Sequence, residues 1–274
     1  MSIVEINNLV KKYGDNVAVN DLSLNIDSKG VYGFLGPNGA GKSTTMNVLT
    51  GYIGATSGTV IINGYDIFKE PEEAKKNVGY LPEIPPLYQD MTVYEYLEFV
   101  SKIKKIKKEE RKACIEQSLE MTRTTEVRER LIRNLSKGYK QRVGIAQAIM
   151  GMPDLIILDE PTVGLDPKQI IEIRDLIRNL GKEHTVILSS HILTEISEVC
   201  ENIFIISQGK LVASGREEEL IEELAGENRI EAIIKGDANE IENILDKFGC
   251  KHSIETLDDE KCKAQIVTSR DIDI

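Results

Sequence analysis

A short apolar run, VYGFLG (31–36), passes directly into Gly36-Pro37-Asn38-Gly39-Ala40-Gly41-Lys42-Ser43 and then into a helix-compatible stretch, KSTTMNVLTG (42–51). This passage constrains the fold more than any other. It fits G-x-x-x-x-G-K-[ST], a strand–loop–helix unit whose glycines let backbone N–H groups wrap closely around an anion. In that pattern Lys42 supplies positive charge to the β- and γ-phosphates of a nucleotide and Ser43 offers its hydroxyl to Mg²⁺. The N-terminus of the following helix favours the bound anion further. An ordinary glycine turn explains the glycines, but not the strand before them or the Lys-Ser pair that opens the helix.

The rest of the chain repeats the alternation. GTVIING (58–64), VGYLP (78–82), LIILDE (155–160), HTVILSS (184–190) and NIFIIS (202–207) read as strands. Apolar runs of this length separated by helices predict a parallel sheet covered on both faces. Between Thr92 and Met150 the pattern is helical instead: VYEYLEFVSKI, KEERKACIEQSLEM, and a third helix from Ser136. After Gly215 the order is helix (216–225), strand (229–235), helix (238–249) and two strands (252–257, 262–268). The expectation is an α/β P-loop NTPase core with a mixed sheet over residues 1–215, a helical subdomain inserted at about 91–152, and a small C-terminal α+β domain over 216–274.

Charge follows the same division. The 274 residues carry a net charge of −11, and residues 216–274 hold −9 of it, with 17 acidic and 8 basic side chains. The core is therefore nearly neutral. A globally acidic chain does not suit non-specific nucleic-acid binding, and no nucleic-acid partner is expected. Cys114, Cys200, Cys250 and Cys262 show no C-x-x-C spacing, which argues against a zinc ribbon and for a reducing compartment. No apolar run reaches the roughly 18 residues of a membrane span.

LIILDE ends a buried strand in two carboxylates. Asp159 is suited to hold Mg²⁺, and Glu160 to orient or deprotonate an attacking water. His191 follows VILSS at the edge of the sheet where ligands bind, within reach of a γ-phosphate. His184 and His252 lack such settings.

Taken together, these segments resemble the ATP-binding subunit of an ABC transporter over about residues 1–215. LSKGYKQR (135–142) is similar to the family's signature loop and PTVGLDP (161–167) to its D-loop region, while His191 stands at the switch-histidine position. Tyr13 matches the aromatic residue that stacks on adenine. The resemblance implies ATP and Mg²⁺ as ligands. ATP would be bound by Tyr13 and by Gly36, Pro37, Asn38, Gly39, Ala40, Gly41, Lys42, Ser43 and Thr44. Catalysis would rest on Glu160, His191 and Lys42, and the metal on Ser43, Asp159 and Glu83. It further implies a head-to-tail dimer, with itself or with a paralogue, in which Ser136, Gly138 and Asp166 serve the partner's nucleotide. Transmembrane permease subunits would lie on another chain, placing this one in the cytoplasm on the inner face of the cell membrane. A helix start at Ser136 also suits an anion on physical grounds.

Three departures refine the picture. Glu83 stands where the family usually has glutamine, a variant similar to that of ABC-2 and gliding-motility exporter ATPases. Lys137 and Tyr139 replace a glycine and a glutamine of the signature loop. The basic run KIKKIKKEERK (102–112) reads as a solvated face or as a site for anionic headgroups or partner loops. The C-terminal β-α-β-β order resembles an exporter accessory domain that stops at TSRDIDI, where another helix is expected, as in a truncated or shortened unit. Two other readings compete with a transporter ATPase. A soluble ABC-type ATPase in cofactor assembly would not co-purify with membrane proteins. A non-catalytic regulatory subunit would not need both Glu160 and His191. The absence of N-K-x-D argues against a GTPase, and the signature loop against a small-molecule kinase.

Overall fold

The computed structural model describes residues 2–224, 228–247, 251–258 and 261–268, and separates into two units, residues 1–217 and 218–274. The first unit begins with two long antiparallel strands, β1 (Val4–Tyr13) and β2 (Asn16–Ile26). No clean period of two marks them. Their register shifts between Ile6 and Leu9 and twice more before Lys12, and Asn8 and Asp21 have positive φ.

β3 (Gly30–Leu35) is almost wholly buried and leads into α1 (Lys42–Leu49). β4 (Ser57–Ile62) and β5 (Tyr65–Asp66) then turn back to β1, giving a four-stranded sheet of order β2-β1-β4-β5. GTVIING therefore does not join the parallel sheet expected of it. It pairs antiparallel with β1, Val4 opposite Ile62 and Ile6 opposite Val60. The reason is one-sided burial: Val60 and Ile62 point into the core, while Thr59 and Ile61 are only partly covered.

The chain continues through α2 (Pro71–Lys76) and β6 (Val78–Leu81) into the helical block of α3 (Val93–Ile103), α4 (Lys108–Met121) and α5 (Lys137–Ile149). Thr92 and Glu95 form a reciprocal capping box at the start of α3: Thr92 N donates to Glu95 Oε2 at 2.8 Å and Glu95 N to Thr92 Oγ1 at 3.2 Å. Those bonds hold the Glu95 carboxyl below its usual range. The block has its own core, built on Val93, Leu97, Ile115, Leu119, Ile132 and Val143. At its base Lys104 Nζ donates to the carbonyls of Ala148 and Met150, at 3.0 and 2.8 Å, and so caps the end of α5. Burial lowers the pKa of this ammonium to about 8. In the basic run, Lys102, Lys105 and Lys107 pair with Glu98, Glu72 and Glu110, and Arg111 donates to the Ile106 carbonyl. Much of its charge is thus engaged within the chain.

β7 (Leu155–Asp159), α6 (Pro167–Gly181), β8 (Thr185–Ser190), α7 (Leu193–Ser197), β9 (Asn202–Ser207) and β10 (Lys210–Gly215) complete the first unit. The main sheet runs β10-β9-β3-β8-β7-β6, parallel except for the antiparallel edge strand β10. Every residue of β7 and β8 is buried. Because β3, β8 and β7 are parallel neighbours, their carboxyl ends share one edge. A continuous core joins Phe34, Ile157 and Ile187 of this sheet to Met46 and Leu49 of α1 and to Ile6 and Ile62 of the antiparallel sheet.

The second unit contains α8 (Glu217–Leu224), β11 (Asn228–Lys235), α9 (Ala238–Lys247), β12 (Lys251–Asp258) and β13 (Lys261–Thr268). Its strands are antiparallel in the order β11-β13-β12, and Ile241 and Leu245 of α9 pack on Cys262, Ala264 and Ile266. The chain end at 269–274, on which the expectation of a further helix bears, lies outside the described residues.

Candidate functional site

The loop between β3 and α1 is shaped by what surrounds it. Gly41 has φ +104°, and a Cβ there would meet the Ala18 carbonyl of β2 closer than the 3.0 Å that real Cβ atoms keep. Behind the loop, Gly209 N donates to the Ala40 carbonyl at 2.9 Å and Asn20 N to the Gly209 carbonyl at 2.8 Å. The loop is therefore wedged between β2 and the β9–β10 turn. No side chain caps α1, so its first N–H groups remain directed toward the loop.

Lys42 is buried, and its Nζ donates to the carbonyls of Gly36 at 2.7 Å and Pro37 at 3.3 Å. The same nitrogen lies 3.6 Å from Glu160 Oε1. Ser43 Oγ donates to Asp159 Oδ1 at 3.3 Å, linking the loop to the end of β7. Ser189, from the end of β8, also donates to Asp159 Oδ1, at 2.5 Å, and its Oγ accepts from Glu160 N at 2.9 Å.

Glu160 leaves the strand in a left-handed conformation, φ +48°. A non-glycine residue in this region is held at a cost of about 1–3 kcal/mol and is concentrated at functional sites. The two adjacent carboxylates meet different partners, Asp159 bonding Ser43 and Ser189 and Glu160 facing Lys42 and His191. Glu160 is buried, and its Oε2 and Oε1 stand 3.1 and 3.2 Å from His191 Nδ1. A carboxylate, an imidazole and an ammonium thus converge at one point beside an anion-binding loop. That arrangement suits a general base acting next to a transferring phosphoryl group.

These groups border a cleft of about 690 Å³. Tyr13, Asn38, Gly39, Gly41, Lys42, Ser43, Thr44, Glu83, Glu160 and His191 line it. Gly36, Pro37 and Asp159 do not line it but bond to Lys42 and Ser43, which do, and Ala40, also outside the lining, is bonded to Gly209. Tyr13 is half exposed at the mouth, with Lys11 Nζ 5.1 Å from its ring centroid. Tyr80, beneath, donates its hydroxyl to Asn47 Oδ1 at 3.1 Å; burial, reinforced by the Asp159 charge, pushes its pKa up to about 12. Ser43, Asp159 and Glu83 present only oxygen donors. That set fits Mg²⁺, which keeps waters and phosphate oxygens as its other ligands. It is not a closed protein cage, and among the described residues no cluster of three His, Cys, Asp or Glu forms one.

Ser136, Gly138 and Asp166 do not line this cleft. Ser136 caps α5, accepting from Tyr139 N at 3.4 Å, and Asp166 caps α6, accepting from Gln169 N at 3.0 Å. Gly138 packs directly on the Gln169 side chain, and Lys137 reaches over Gly164. The starts of α5 and α6 are therefore packed against each other, through Gly138 on Gln169 and Lys137 over Gly164.

Asn16, Val17, Ala18, Val163 and Gln208 also line the cleft, and Ser189 organises it from behind. Of these only Val163 lies in a recognisable motif, PTVGLDP (161–167); Ser189 had a weaker signal, as a hydroxyl at the carboxyl end of a buried strand.

Comparisons with known proteins agree with this geometry. Residues 19–163 match the family model described as ABC transporter. The chain is 42% identical over 213 residues to the bacitracin transport ATP-binding protein BcrA of Bacillus licheniformis, covering 77% of this chain and 69% of that one. It is 35% identical over 235 residues to the linearmycin resistance ATP-binding protein LnrL of Bacillus subtilis, covering 85% and 76%. Among solved structures, a dimeric ATP-binding cassette in a post-hydrolysis state with ADP and Pi superposes with a TM-score of 0.69 at 26% identity, over 78% of this chain and 98% of that one.

Proposed function

The chain belongs to the ABC transporter family as an ATP-binding subunit, and from that premise we infer that it powers an exporter of the ABC-2 or gliding-motility type. It binds ATP and hydrolyses it to energise transport. Export rests on the similarity to ATP-binding proteins named for bacitracin transport and linearmycin resistance, and on Glu83 in the place of the usual glutamine. ABC ATPases work with transmembrane subunits, and in the described residues no helix is long and apolar enough to cross a membrane. The proposed setting is therefore the cytoplasmic face of the cell membrane, against permease subunits on another chain.

The observation that carries the reading is the convergence of Glu160, His191 and Lys42 on one side of the phosphate loop. In the proposed mechanism the loop N–H groups and Lys42 hold the β- and γ-phosphates and Tyr13 stacks on the base. Glu160 takes the proton of the attacking water, while His191 holds the Glu160 carboxylate and contacts the γ-phosphate. Phosphoryl transfer needs little covalent help, so catalysis is mainly positioning and charge stabilisation. Bound Mg²⁺ would neutralise developing charge on the phosphates, with Ser43, Asp159 and Glu83 as its protein oxygens. Ser136, Gly138 and Asp166 would complete the site of a second subunit in a head-to-tail dimer, which accounts for their place outside the chain's own cleft. Residues 1–215 form the ATPase domain in this reading, with 216–274 as an accessory domain.

Glu160→Gln tests it. The variant is expected to bind ATP, to turn it over very slowly, and to accumulate as an ATP-bound dimer in size-exclusion chromatography. Parent-like turnover would remove Glu160 from the role of base.

A further inference from the structure

Two buried carboxylates are hydrogen-bonded to the segments that carry Glu160 and His191, and only one of them belongs to the proposed chemistry. Asp159 is the first. The second is Glu195, on α7, which contacts neither the cleft nor the phosphate loop. Its Oε2 accepts hydrogen bonds from Thr162 Oγ1 at 2.7 Å and from Ser190 Oγ at 2.9 Å. Ser190 Oγ in turn accepts from Ile192 N at 3.1 Å. All three side chains are buried.

The connectivity of these bonds gives them a purpose. Thr162 is two residues beyond Glu160, and Ser190 immediately precedes His191. One carboxylate oxygen therefore joins the segment that carries the base to the segment that carries the histidine. Ser189 makes a second tie between the same two segments by bonding both Asp159 Oδ1 and Glu160 N. The 3.1 Å contact between Glu160 and His191 is held between two clasps. Glu160 needs such support, because its backbone sits in a left-handed conformation that it would not keep unaided.

We infer that Glu195 is a positioning residue for ATP hydrolysis, clasping Thr162 and Ser190 so that the Glu160 carboxylate and the His191 ring stay in contact. The inference rests on the reading of Glu160 as base and His191 as its partner. Loss of the clasp leaves the nucleotide loop untouched and loosens only the reacting pair. Displacements of about 1 Å at a reacting centre can lower rates about 100-fold.

The test uses the full chain, with Glu195→Met, which keeps the length of the side chain and removes both carboxylate oxygens, and Thr162→Val, which keeps the shape and removes one hydroxyl. Steady-state phosphate release gives kcat and KM for ATP, and circular dichroism gives the folded fraction. Each variant is expected to lose about 10-fold or more in kcat per folded molecule, while KM stays within about 2-fold of the parent. Introduced into Glu160→Gln, either change should cause no further loss, because it acts through the residue already removed. Parent-like kcat, a rise in KM without a fall in kcat, or an additive loss in the Glu160→Gln background would each overturn the positioning role. A merely structural residue would lower the folded fraction and leave kcat per folded molecule intact. If Glu160→Gln itself turns over like the parent, the assignment of the base fails. If Glu160→Gln is inactive while Glu195→Met is not, the positioning role alone fails.

Discussion

Replacing Gly41 by alanine tests whether the shape of the phosphate loop is set by its surroundings. Two separate costs apply. At φ +104° an L-residue is strained by about 1–3 kcal/mol. The new Cβ would also press on the Ala18 carbonyl, with the Gly209 Cα 3.4 Å away on the other side. Ala18 is strand backbone and Gly209 is turn backbone held by hydrogen bonds to Ala40 and Asn20, so neither can yield as a flexible side chain would, and overpacking of this kind costs about 1–3 kcal/mol more. The expected total is about 2–6 kcal/mol. Gly39→Ala is the matched control. Its φ of +80° carries strain of about 1–2 kcal/mol, but nothing lies within 4 Å of the added methyl. Urea unfolding should therefore place Gly41→Ala below Gly39→Ala by about 1–3 kcal/mol. Nucleotide titration should show a loss of affinity of about 10-fold or more for Gly41→Ala, since Lys42 follows directly and moves with it. Equal stabilities for the two variants, or parent-like ATP affinity in Gly41→Ala, would refute the argument that β2 and the β9–β10 turn mould this loop.

Other predictions follow from other parts of the chain. Glu83→Ala is expected to raise the Mg²⁺ concentration needed for half-maximal hydrolysis and to lower the rate; a metal titration with parent-like rate and midpoint would remove Glu83 from the metal site. Tyr13→Ala should weaken ATP by about 1–3 kcal/mol, the range for base–aromatic stacking, in a fluorescence competition assay. Lys104 gives a pH effect. Its pKa is about 8 in the fold against the ordinary 10.5, so between those values the unfolded chain binds more protons and stability rises with pH. Lys104→Met should abolish that rise in denaturation curves taken from pH 7.5 to pH 10.5, because no titrating group remains at the end of α5.

The legible parts of the fold were those with local signals. The phosphate loop announces itself through spacing. The start of α3 is marked by the capping pair Thr92 and Glu95, and the start of α5 by Ser136. The strand at LIILDE is continuous in its hydrophobicity because β7 is buried on both faces. β1 and β2 carry no such signal, since shifts of register interrupt their alternation. At the site, the bonds that join Thr162, Ser189, Ser190 and Glu195 were illegible for a different reason, although Thr162 lies in PTVGLDP and Ser189 near the end of a buried strand. Their partners lie about thirty residues away for most of the bonds they make, and hydroxyls that look like ordinary strand ends acquire meaning only when β7 and β8 lie side by side. Gln208 reaches the cleft from the β9–β10 turn and Asn16 from the start of β2, and no local pattern in the sequence brings them together.

The backbone of Glu160 has a consequence for how this protein responds to selection. A residue with φ +48° lowers the stability of the unit that contains it, and glycine at that position would relieve the strain. Glu160→Gly should therefore be more stable than Glu160→Ala, although both lack the carboxylate. A search for thermostable variants that does not also demand turnover would tend to discard the proposed base. Stability and activity are thus set against each other at a single position, and the two clasps beside it show where the fold absorbs the conflict.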